Sequence, residues 1–318
     1  MRKFLLKILI YTITLSAITT IIDLYYLYHI HQVNDVTIPD GIQICNFGSS
    51  HGQRGFNYED FRGKYVCCNF SMTAQALIYD SKLLMHYKGK LKQGAYVFIV
   101  VSYFSFFGKP ETEHETFLAK NKRYYRVLPP ELIINYDRYT DIYTNYLPAL
   151  SFAGVHDLIR LLLYGKKITY EGFIMDNDIW TKSAVLSDME DVFHHYEVHI
   201  ADNLDQYGNR LRKQESFDAV YTMINLCRDI GARPILVTVP FTRAYTDTIR
   251  KNDPKFFADF YSVIDEIKQN SGVEYYDYAF DERFCDNLAL FNDTNHLNKE
   301  GARRFTNILL REVLGITP

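Results

Sequence analysis

The stretch Ile42-Gln43-Ile44-Cys45-Asn46-Phe47-Gly48-Ser49-Ser50-His51 decides the fold of this chain. A short, mostly apolar run that ends at a turn residue predicts a buried β-strand followed by a loop. Gly48 allows the backbone to turn sharply there. We therefore expect Ser50 to lie just beyond the carboxyl end of a strand.

Four further runs of the same kind follow along the chain. They are Tyr65–Phe70, Tyr96–Val101, Ile235–Val239 and Val273–Tyr276. Helical patterns alternate with them: Ala74–Tyr87, an apolar stripe from Phe217 to Cys227 that stops at Gly231, a segment starting at Asp253-Pro254, and a last amphipathic segment from Asn298 to Gly315. This alternation predicts an α/β fold with a parallel sheet that has helices on both faces.

One long stretch breaks the alternation. Residues 108–215 contain Pro129-Pro130, many tyrosines and no convincing strand pattern. We predict a largely helical insertion between the third and fourth strands. An insertion at the carboxyl end of a strand lies over the usual ligand crevice of such a sheet, so it is a candidate substrate cap.

The N-terminus has the pattern of a membrane segment. Arg2, Lys3 and Lys7 precede an apolar run over residues 8–22, which Asp23 interrupts before residues 24–28 continue it. About 20 apolar residues span a bilayer, and basic residues before the span indicate a cytoplasmic N-terminus. We predict an anchor at 1–30, a stalk at 31–39 and an extracytoplasmic α/β domain at 40–318.

A cleavable signal peptide is the alternative for the same run. No clear small-residue cleavage motif follows it, which favours an uncleaved anchor. A buried helix of a globular domain is disfavoured by the terminal position of the run and by the three basic residues before it.

Composition excludes some classes of protein. The chain has 318 residues and a net charge of −3, which gives no basic patch for nucleic acid. Hydrophobic residues make up 47% of it, enough for a large core. The five cysteines are an odd number and lie mostly within apolar patterns, so we expect buried thiols and no disulfide framework.

A second motif, Asn292-Asp293-Thr294-Asn295-His296-Leu297, precedes the last helix. An aspartate three residues before a histidine can bond the imidazole Nδ1, fix the tautomer and stabilise the imidazolium. A serine needs such a base, together with an oxyanion hole, to act as a nucleophile. Taken singly, the motifs also fit an ordinary strand-to-helix turn and a helix-entry loop. Together they would lie on one sheet edge, so we predict Ser50, Asp293 and His296 as catalytic residues.

These two motifs resemble those of the SGNH (GDSL-like) hydrolase family. That family has its nucleophile in a Gly-Asp-Ser block after the first strand and an Asp-x-x-His block before the last helix. Gly48-Ser49-Ser50 matches with Ser in place of Asp, and Asp293 and His296 match fully. The resemblance covers about residues 40–107 and 215–315, and it implies a flavodoxin-like sheet and an acyl-serine intermediate.

The Gly-Ser-Ser form resembles a membrane-anchored branch of this family. That branch includes the D-alanine transfer protein of teichoic acid synthesis, and related anchored or periplasmic proteins O-acetylate alginate and peptidoglycan. The resemblance implies a cell-envelope polysaccharide as substrate and a multi-pass membrane acyltransferase as a partner.

The chain departs from the family in the two blocks that supply oxyanion donors. It has no Gly in the second block, residues 69–75, and no Asn after the third strand. Substitute donors are the backbone N–H of Ser71 or Met72, the side chain of Gln75, and Ser102, Tyr103 or Ser105. Gly48, Ser49 and His51 are expected to shape the site around Ser50. Arg243, after the fourth strand, either meets an anionic substrate or caps a helix.

His195 and His199 are spaced as i and i+4 on a predicted helix, which is a zinc-binding spacing. No glutamate follows in the pattern of a zinc protease, so we expect these side chains to line the insertion or face water. Neither a metal nor a cofactor is expected.

The predicted function is extracytoplasmic acyl transfer, with acetyl as the expected group, or ester hydrolysis on an envelope polysaccharide. The alternative is a non-catalytic glycan-binding or assembly subunit of an envelope acylation complex. The missing Gly and Asn favour the alternative, and the complete Ser, Asp and His set favours the enzyme.

Overall fold

The computed structural model describes residues 1–34, 38–110, 124, 127–136, 192, 197, 203–206 and 208–318. The chain divides into two compact units, one of Met1–Thr37 with Thr116–Gly172 and one of Ile38–Glu115 with Phe173–Pro318. Most of the predicted insertion, including His195 and His199, lies outside the described residues.

The first unit contains a long apolar helix, α1, over Arg2–Asn34. Residues Arg2–Tyr25 are long and apolar enough to cross a membrane, with a mean hydropathy of 2.0. The hydroxyls of Thr12 and Thr14 donate to carbonyls one turn earlier, which satisfies them within the helix. This helix fits a membrane anchor or a signal sequence, and it extends into the segment predicted as a stalk.

The second unit is built on a five-stranded, all-parallel sheet. Its strands are β1 (Ile42–Phe47), β2 (Cys67–Asn69), β3 (Leu91–Val100), β4 (Arg233–Thr238) and β5 (Glu274–Asp277). Their order is β2-β1-β3-β4-β5, which is the flavodoxin-like order. The α/β fold predicted from the alternating pattern is therefore confirmed.

Helices flank this sheet. They are α2 (Ser50–Gly55), α3 (Leu77–Tyr87), α4 (Gln214–Asp229), α5 (Arg243–Asn252), α6 (Phe256–Ser271) and α7 (Lys299–Leu314). α4 packs against α3 and α6, while α2 packs against α7. The central strands between these layers are buried, with Phe98, Ile99 and Val237 0% exposed. Burial on both faces explains why these strands are continuous apolar runs.

The helix predicted to start at Pro254 begins instead at Phe256. The reason is that Asp253 already ends α5, where its N–H donates to the carbonyl of Ile249 at 2.8 Å. The Phe256 N–H then bonds the Asp253 carbonyl, so Asp253 and Pro254 form the link between two helices.

The described ends of the insertion lie side by side after β3. Phe107 and Arg212 form an antiparallel bridge. The Gly108 N–H donates to the Leu211 carbonyl at 3.0 Å, and the Lys213 N–H donates to the Phe106 carbonyl at 2.8 Å. The segment after β3 and the segment before α4 are therefore neighbours in space.

Candidate active site

Ser50 is held at the carboxyl end of β1 by a close backbone turn. Gly48 has a φ of +151°, and a Cβ at this position would lie 2.8 Å from Val100 Cβ, so a larger residue would both strain the turn and clash. The Ser49 hydroxyl caps α2 by accepting from the His51 N–H. Ser50 follows as the first residue of α2 and is half-buried.

The side chains of two buried asparagines donate hydrogen bonds to the backbone of α2. Asn46 of β1 and Asn69 of β2 are register partners. Asn46 Nδ2 donates to Asn69 Oδ1 at 2.8 Å and to the Gly52 carbonyl at 3.2 Å. Asn69 Nδ2 lies 3.2 to 3.4 Å from the carbonyls of Gly52, Gln53 and Phe56. These amides satisfy the unpaired carbonyls at the end of a helix too short to satisfy them itself.

Gly52 lets α2 approach the neighbouring loop closely. A Cβ on Gly52 would lie 2.3 Å from the Ser71 hydroxyl, and one on Gly55 would lie 2.8 Å from Val239 Cγ1. A side chain at either glycine would therefore push α2 away from Ser71 or Val239. Together with Gly48, the two glycines allow α2 to lie close to the edge of the sheet.

The structure brings Ser50, His296 and Asp293 together. Ser50 Oγ lies 2.8 Å from His296 Nε2. His296 Nδ1 lies 2.9 Å from Asp293 Oδ1 and 3.0 Å from Oδ2. These contacts connect residues 246 positions apart in sequence, because β1 and the loop before α7 meet at the carboxyl edge of the sheet.

The Asp293 carboxylate accepts further hydrogen bonds. The backbone N–H groups of Asn295 and His296 donate to Oδ1 at 3.1 and 2.9 Å. Arg54 Nη1 approaches Oδ2 at 3.3 Å. Burial raises the pKa of Asp293. A larger opposite effect comes from the hydrogen bond and charge of His296, the Asn295 N–H and the charge of Arg54. The pKa of Asp293 therefore lies well below its usual value. Asp293 is therefore ionised at neutral pH.

The loop that carries Asp293 and His296 is fixed at both ends. The Asn292 N–H donates to the His296 carbonyl at 2.8 Å, which closes the loop. Asn298 caps α7 by accepting from the Gly301 N–H, and its own amide donates to the Ala289 carbonyl at 2.7 Å. The Thr242 hydroxyl bonds the Thr294 carbonyl. The loop is thus tied to α7 and to the segment after β4.

His51 follows Ser50 in sequence and contacts the predicted base, His296. It is 1% exposed, and its Nδ1 lies 2.8 Å from the Ser102 hydroxyl. Its ring stacks on His296 with the centroids 4.8 Å apart. The structure therefore brings His51 and Ser102 to the site, as neighbours of the base.

The donors expected from the second block already have partners. The Ser71 N–H donates to Asn69 Oδ1 at 3.0 Å. The Met72 N–H donates to the Gly48 carbonyl at 3.2 Å. Gln75 Nε2 lies 3.2 Å from the Gly48 carbonyl and 2.5 Å from Asp80 Oδ1. In this arrangement these groups support the Ser50 loop.

The other candidate oxyanion donors are the three residues after β3: Ser102, Tyr103 and Ser105. The Ser102 N–H donates to the Ser105 hydroxyl at 2.9 Å. Ser105 also lines a small cavity of about 30 Å³ beside Ser49 and Gln75. Tyr103 is 0% exposed and its ring packs among core aromatic rings such as Phe260, 4.9 Å away, so it does not reach Ser50.

Arg243 is the first residue of α5, directly after the N-cap Thr242. Its guanidinium forms an exposed ion pair with Asp286 at 2.6 Å and also donates to the Cys285 sulfur at 3.2 Å. The residue thus belongs to a helix start, and its charge is already paired.

No motif in the sequence marks Arg54 as a contact of Asp293, or Asn46 and Asn69 as supports of α2. Arg54 lies four residues after Ser50 on the same face of α2, and that spacing is its only sequence signal. The asparagine pair gives no local signal, because it depends on the register of β1 with β2.

Comparisons of the sequence with protein-family models and with curated proteins found no match. Among the described residues, no group of three or more His, Cys, Asp or Glu side chains is placed to hold a metal ion. All five cysteines lie in described segments and are free thiols.

The arrangement has the geometry of a serine, base and acid relay. The imidazole can accept the Ser50 proton at Nε2, and the adjacent carboxylate can stabilise the resulting imidazolium at Nδ1. This is the chemistry required to activate a hydroxyl toward a carbonyl carbon.

Proposed function

We propose that this protein is a serine-dependent acyltransferase or esterase. The observation that carries the proposal is the continuous contact from Ser50 Oγ to His296 Nε2 at 2.8 Å and from His296 Nδ1 to Asp293 at 2.9 Å. The half-buried Ser50 remains accessible at the sheet edge where ligands of such folds bind.

The reaction proceeds in two half-reactions. Ser50 Oγ attacks the ester carbonyl carbon and gives its proton to His296 Nε2. Collapse of the tetrahedral intermediate breaks the ester C–O bond, and the departing alcohol takes the proton from Nε2, which leaves acyl-Ser50. An acceptor hydroxyl then gives its proton to Nε2 and attacks the acyl carbon. The bond from the acyl carbon to Ser50 Oγ breaks, and Oγ takes the proton back from Nε2, which regenerates free Ser50.

Membership of the SGNH (GDSL-like) family is part of the proposal. It is supported by the Gly48-Ser49-Ser50 turn, by the Asp293 and His296 pair, and by the flavodoxin-like strand order. Resemblance to the membrane-anchored branch and the apolar helix α1 support an extracytoplasmic site anchored to the cytoplasmic membrane. They also favour an envelope polysaccharide as acceptor.

Transfer is favoured over hydrolysis by anchoring. A membrane-bound domain stays close both to envelope glycans and to a multi-pass membrane acyltransferase that would export the acyl group. In this arrangement Ser50 receives an acyl group from the donor, and a sugar hydroxyl removes it.

A non-catalytic glycan-binding or assembly subunit is the second candidate function. The observation that favours it is the engagement of the expected oxyanion donors: Ser71 N–H, Met72 N–H and the Gln75 amide all have partners. Loss of one oxyanion donor costs roughly 10²–10³ in rate.

Reaction with a fluorophosphonate separates the two candidates, because the probe labels only an activated serine. The full chain in detergent should be labelled at Ser50, and Ser50→Ala should abolish the adduct in the intact-mass spectrum. Ser49→Ala is the matched control; it should still be labelled, but more slowly, because the α2 cap is lost. An unlabelled but folded wild-type chain would favour the binding subunit.

Turnover then distinguishes transfer from hydrolysis. An aryl acetate is supplied with and without an envelope glycan, and the released phenol and the acetylated glycan are both measured. We expect glycan acetylation to compete with release of free acetate. Acetate as the sole product at every glycan concentration would make the protein an esterase.

A further inference from the structure

A second imidazole lies against the predicted base. The His51 and His296 rings stack with centroids 4.8 Å apart and an interplanar angle of 25°. Phe241 meets the His51 ring edge-on at 5.0 Å, and Phe104 contacts it at 5.3 Å. The Ser102 hydroxyl contacts His51 Nδ1 at 2.8 Å.

We infer that His51 is a positioning residue for His296 and that the two imidazoles titrate as one coupled pair. The inference rests on the proposed function only in naming His296 as the base. Its structural basis is the stacked geometry and the contact of His51 with Ser102.

The stack fixes the plane of the His296 ring. The ring must present Nε2 to Ser50 and Nδ1 to Asp293 at the same time, and rotation about its side-chain bonds would break one of these contacts. His51 covers one face of the ring, and its own position is set by Ser102 and by α2. A small displacement of a catalytic group can cost about 10²-fold in rate.

The two rings also interact through charge. Within the part of the chain that the structure describes, the ionisable ring stacked on His51 is that of His296. Asp293 contacts His296, and Arg54 contacts Asp293. Phe104, Phe241 and Ser102 carry no charge. Two imidazolium ions at this separation repel each other, so the first proton goes to His296, which contacts the Asp293 carboxylate, and the second is taken up only at lower pH.

The coupling is measured by NMR on the full chain in detergent with ¹⁵N-labelled histidine. In the wild-type protein, His51 and His296 should take up protons in two titration steps, with midpoints more than about one pH unit apart. His51→Phe keeps a ring on His296 and should leave a single step. Ser102→Ala keeps both imidazoles and should retain two steps. His296→Phe keeps a ring on His51 but removes the neighbouring charge, so it should raise the midpoint of His51. An unchanged His51 midpoint in that variant would overturn the coupling.

Positioning is measured by the rate of fluorophosphonate labelling as a function of pH. His51→Ala should slow labelling of Ser50 by about 10- to 100-fold, and His51→Phe should restore most of the rate because a ring again covers His296. A folded His51→Ala chain with the wild-type rate would refute the positioning role. If the two histidines titrate as a coupled pair but Ser50 is never labelled by the fluorophosphonate, the proposed function is refuted while the coupling of His51 and His296 still holds.

Discussion

At the scale of single residues, Asp293 depends on Arg54 for part of its electrostatic environment. The guanidinium approaches Asp293 Oδ2 at 3.3 Å, and both side chains are partly exposed, at 21% and 25%. A cation beside the relay favours the carboxylate and opposes the imidazolium. Arg54 therefore lowers the pKa of Asp293, after His296 and the Asn295 N–H, and it also orients the carboxylate.

Replacing Arg54 by Gln should slow labelling or turnover by roughly fivefold, which corresponds to about 1 kcal/mol for a partly exposed ion pair. The acid limb of the pH–rate profile should shift to higher pH, because removing a cation makes His296 easier to protonate. Arg54→Lys keeps the charge and should leave the limb in place. An unshifted limb in Arg54→Gln would show that the guanidinium does not act on the relay.

The charge of Asp293 can be tested without changing its size. Asp293→Asn should reduce kcat by about 10⁴, as the same change does in serine protease triads, because the amide stabilises neither the imidazolium nor the required tautomer. Since the pKa of Asp293 lies far below neutral, wild type should show no second acid limb from this carboxyl above about pH 4. Both expectations are tested by the pH–rate profiles of the wild-type and Asp293→Asn proteins. Near-equal rates would show that Asp293 does not assist His296.

Asp80 lies beneath the Ser50 loop and is 0% exposed. Burial raises its pKa to about 8, although the Gln75 amide and the Gly48 N–H act in the opposite direction. The unfolded chain releases this proton near pH 4. Between these values the native state holds one more proton than the unfolded state, so the free energy of unfolding decreases as pH rises.

Asp80→Asn should remove this pH dependence, because the amide still accepts from Gln75 but does not ionise. The stability difference between variant and wild type should grow by about 1.4 kcal/mol per pH unit within the window from roughly pH 4 to 8. Urea unfolding at several pH values measures it. Asn225→Ser, on the exposed face of α4, changes no ionisable group; it is the control and should show a constant difference. A constant difference for Asp80→Asn would mean that the carboxyl is already ionised in the native state.

At the scale of elements, α2 is held in place by the two asparagines below it. Asn69→Ala leaves buried carbonyls of α2 without their donor, which should cost about 1–3 kcal/mol of stability. It should also slow labelling of Ser50, because the helix that carries the serine loses its support. Asn252→Ala, at the exposed end of α5, is the matched control and should change stability by less than about 0.5 kcal/mol. An equal, small loss in both variants would contradict this role for Asn69.

The long elements could be predicted from sequence because burial gives them a regular pattern. The sequence predicts β1 with its observed bounds, Ile42–Phe47, because the apolar run ends at a glycine turn. α2 has only six residues, too few for a helical period to be visible. Asn46 and Asn69 become partners only through strand register. The Asp253-Pro254 signal misplaced a helix start because Asp253 was already used to end α5.

At the scale of the whole molecule, the strand order explains how two distant motifs form one site. β1 lies second in the sheet and pairs with both β2 and β3, so the loop after it opens near the middle of the carboxyl edge. The loop before α7 returns to this edge from β5. The sequence order of the motifs could therefore predict their meeting, whereas the hydrogen-bond partners of the expected oxyanion donors depend on side-chain packing around Gly48.

Helix α1, which fits a membrane anchor or a signal sequence, bears on where the proposed site would act. Its apolar side chains are exposed along the helix, for example Ile10 at 55% and Ile13 at 59%. We predict that the chain keeps Met1, remains in the membrane fraction after a carbonate wash, and exposes the α/β unit to protease outside spheroplasts.

Ile10→Arg with Ile13→Arg tests the anchoring directly, because each arginine near the centre of a span costs about 3 kcal/mol. We expect the double variant to lose its place in the washed membrane fraction, while Ile10→Ala with Ile13→Ala keeps it. N-terminal sequencing of the wild-type chain separates the two roles that this helix fits. A mature chain that begins after the apolar run and is released in soluble form would make α1 a signal sequence. The proposed acyl transfer would then occur away from the membrane, and a soluble acyl donor would replace the membrane-bound one.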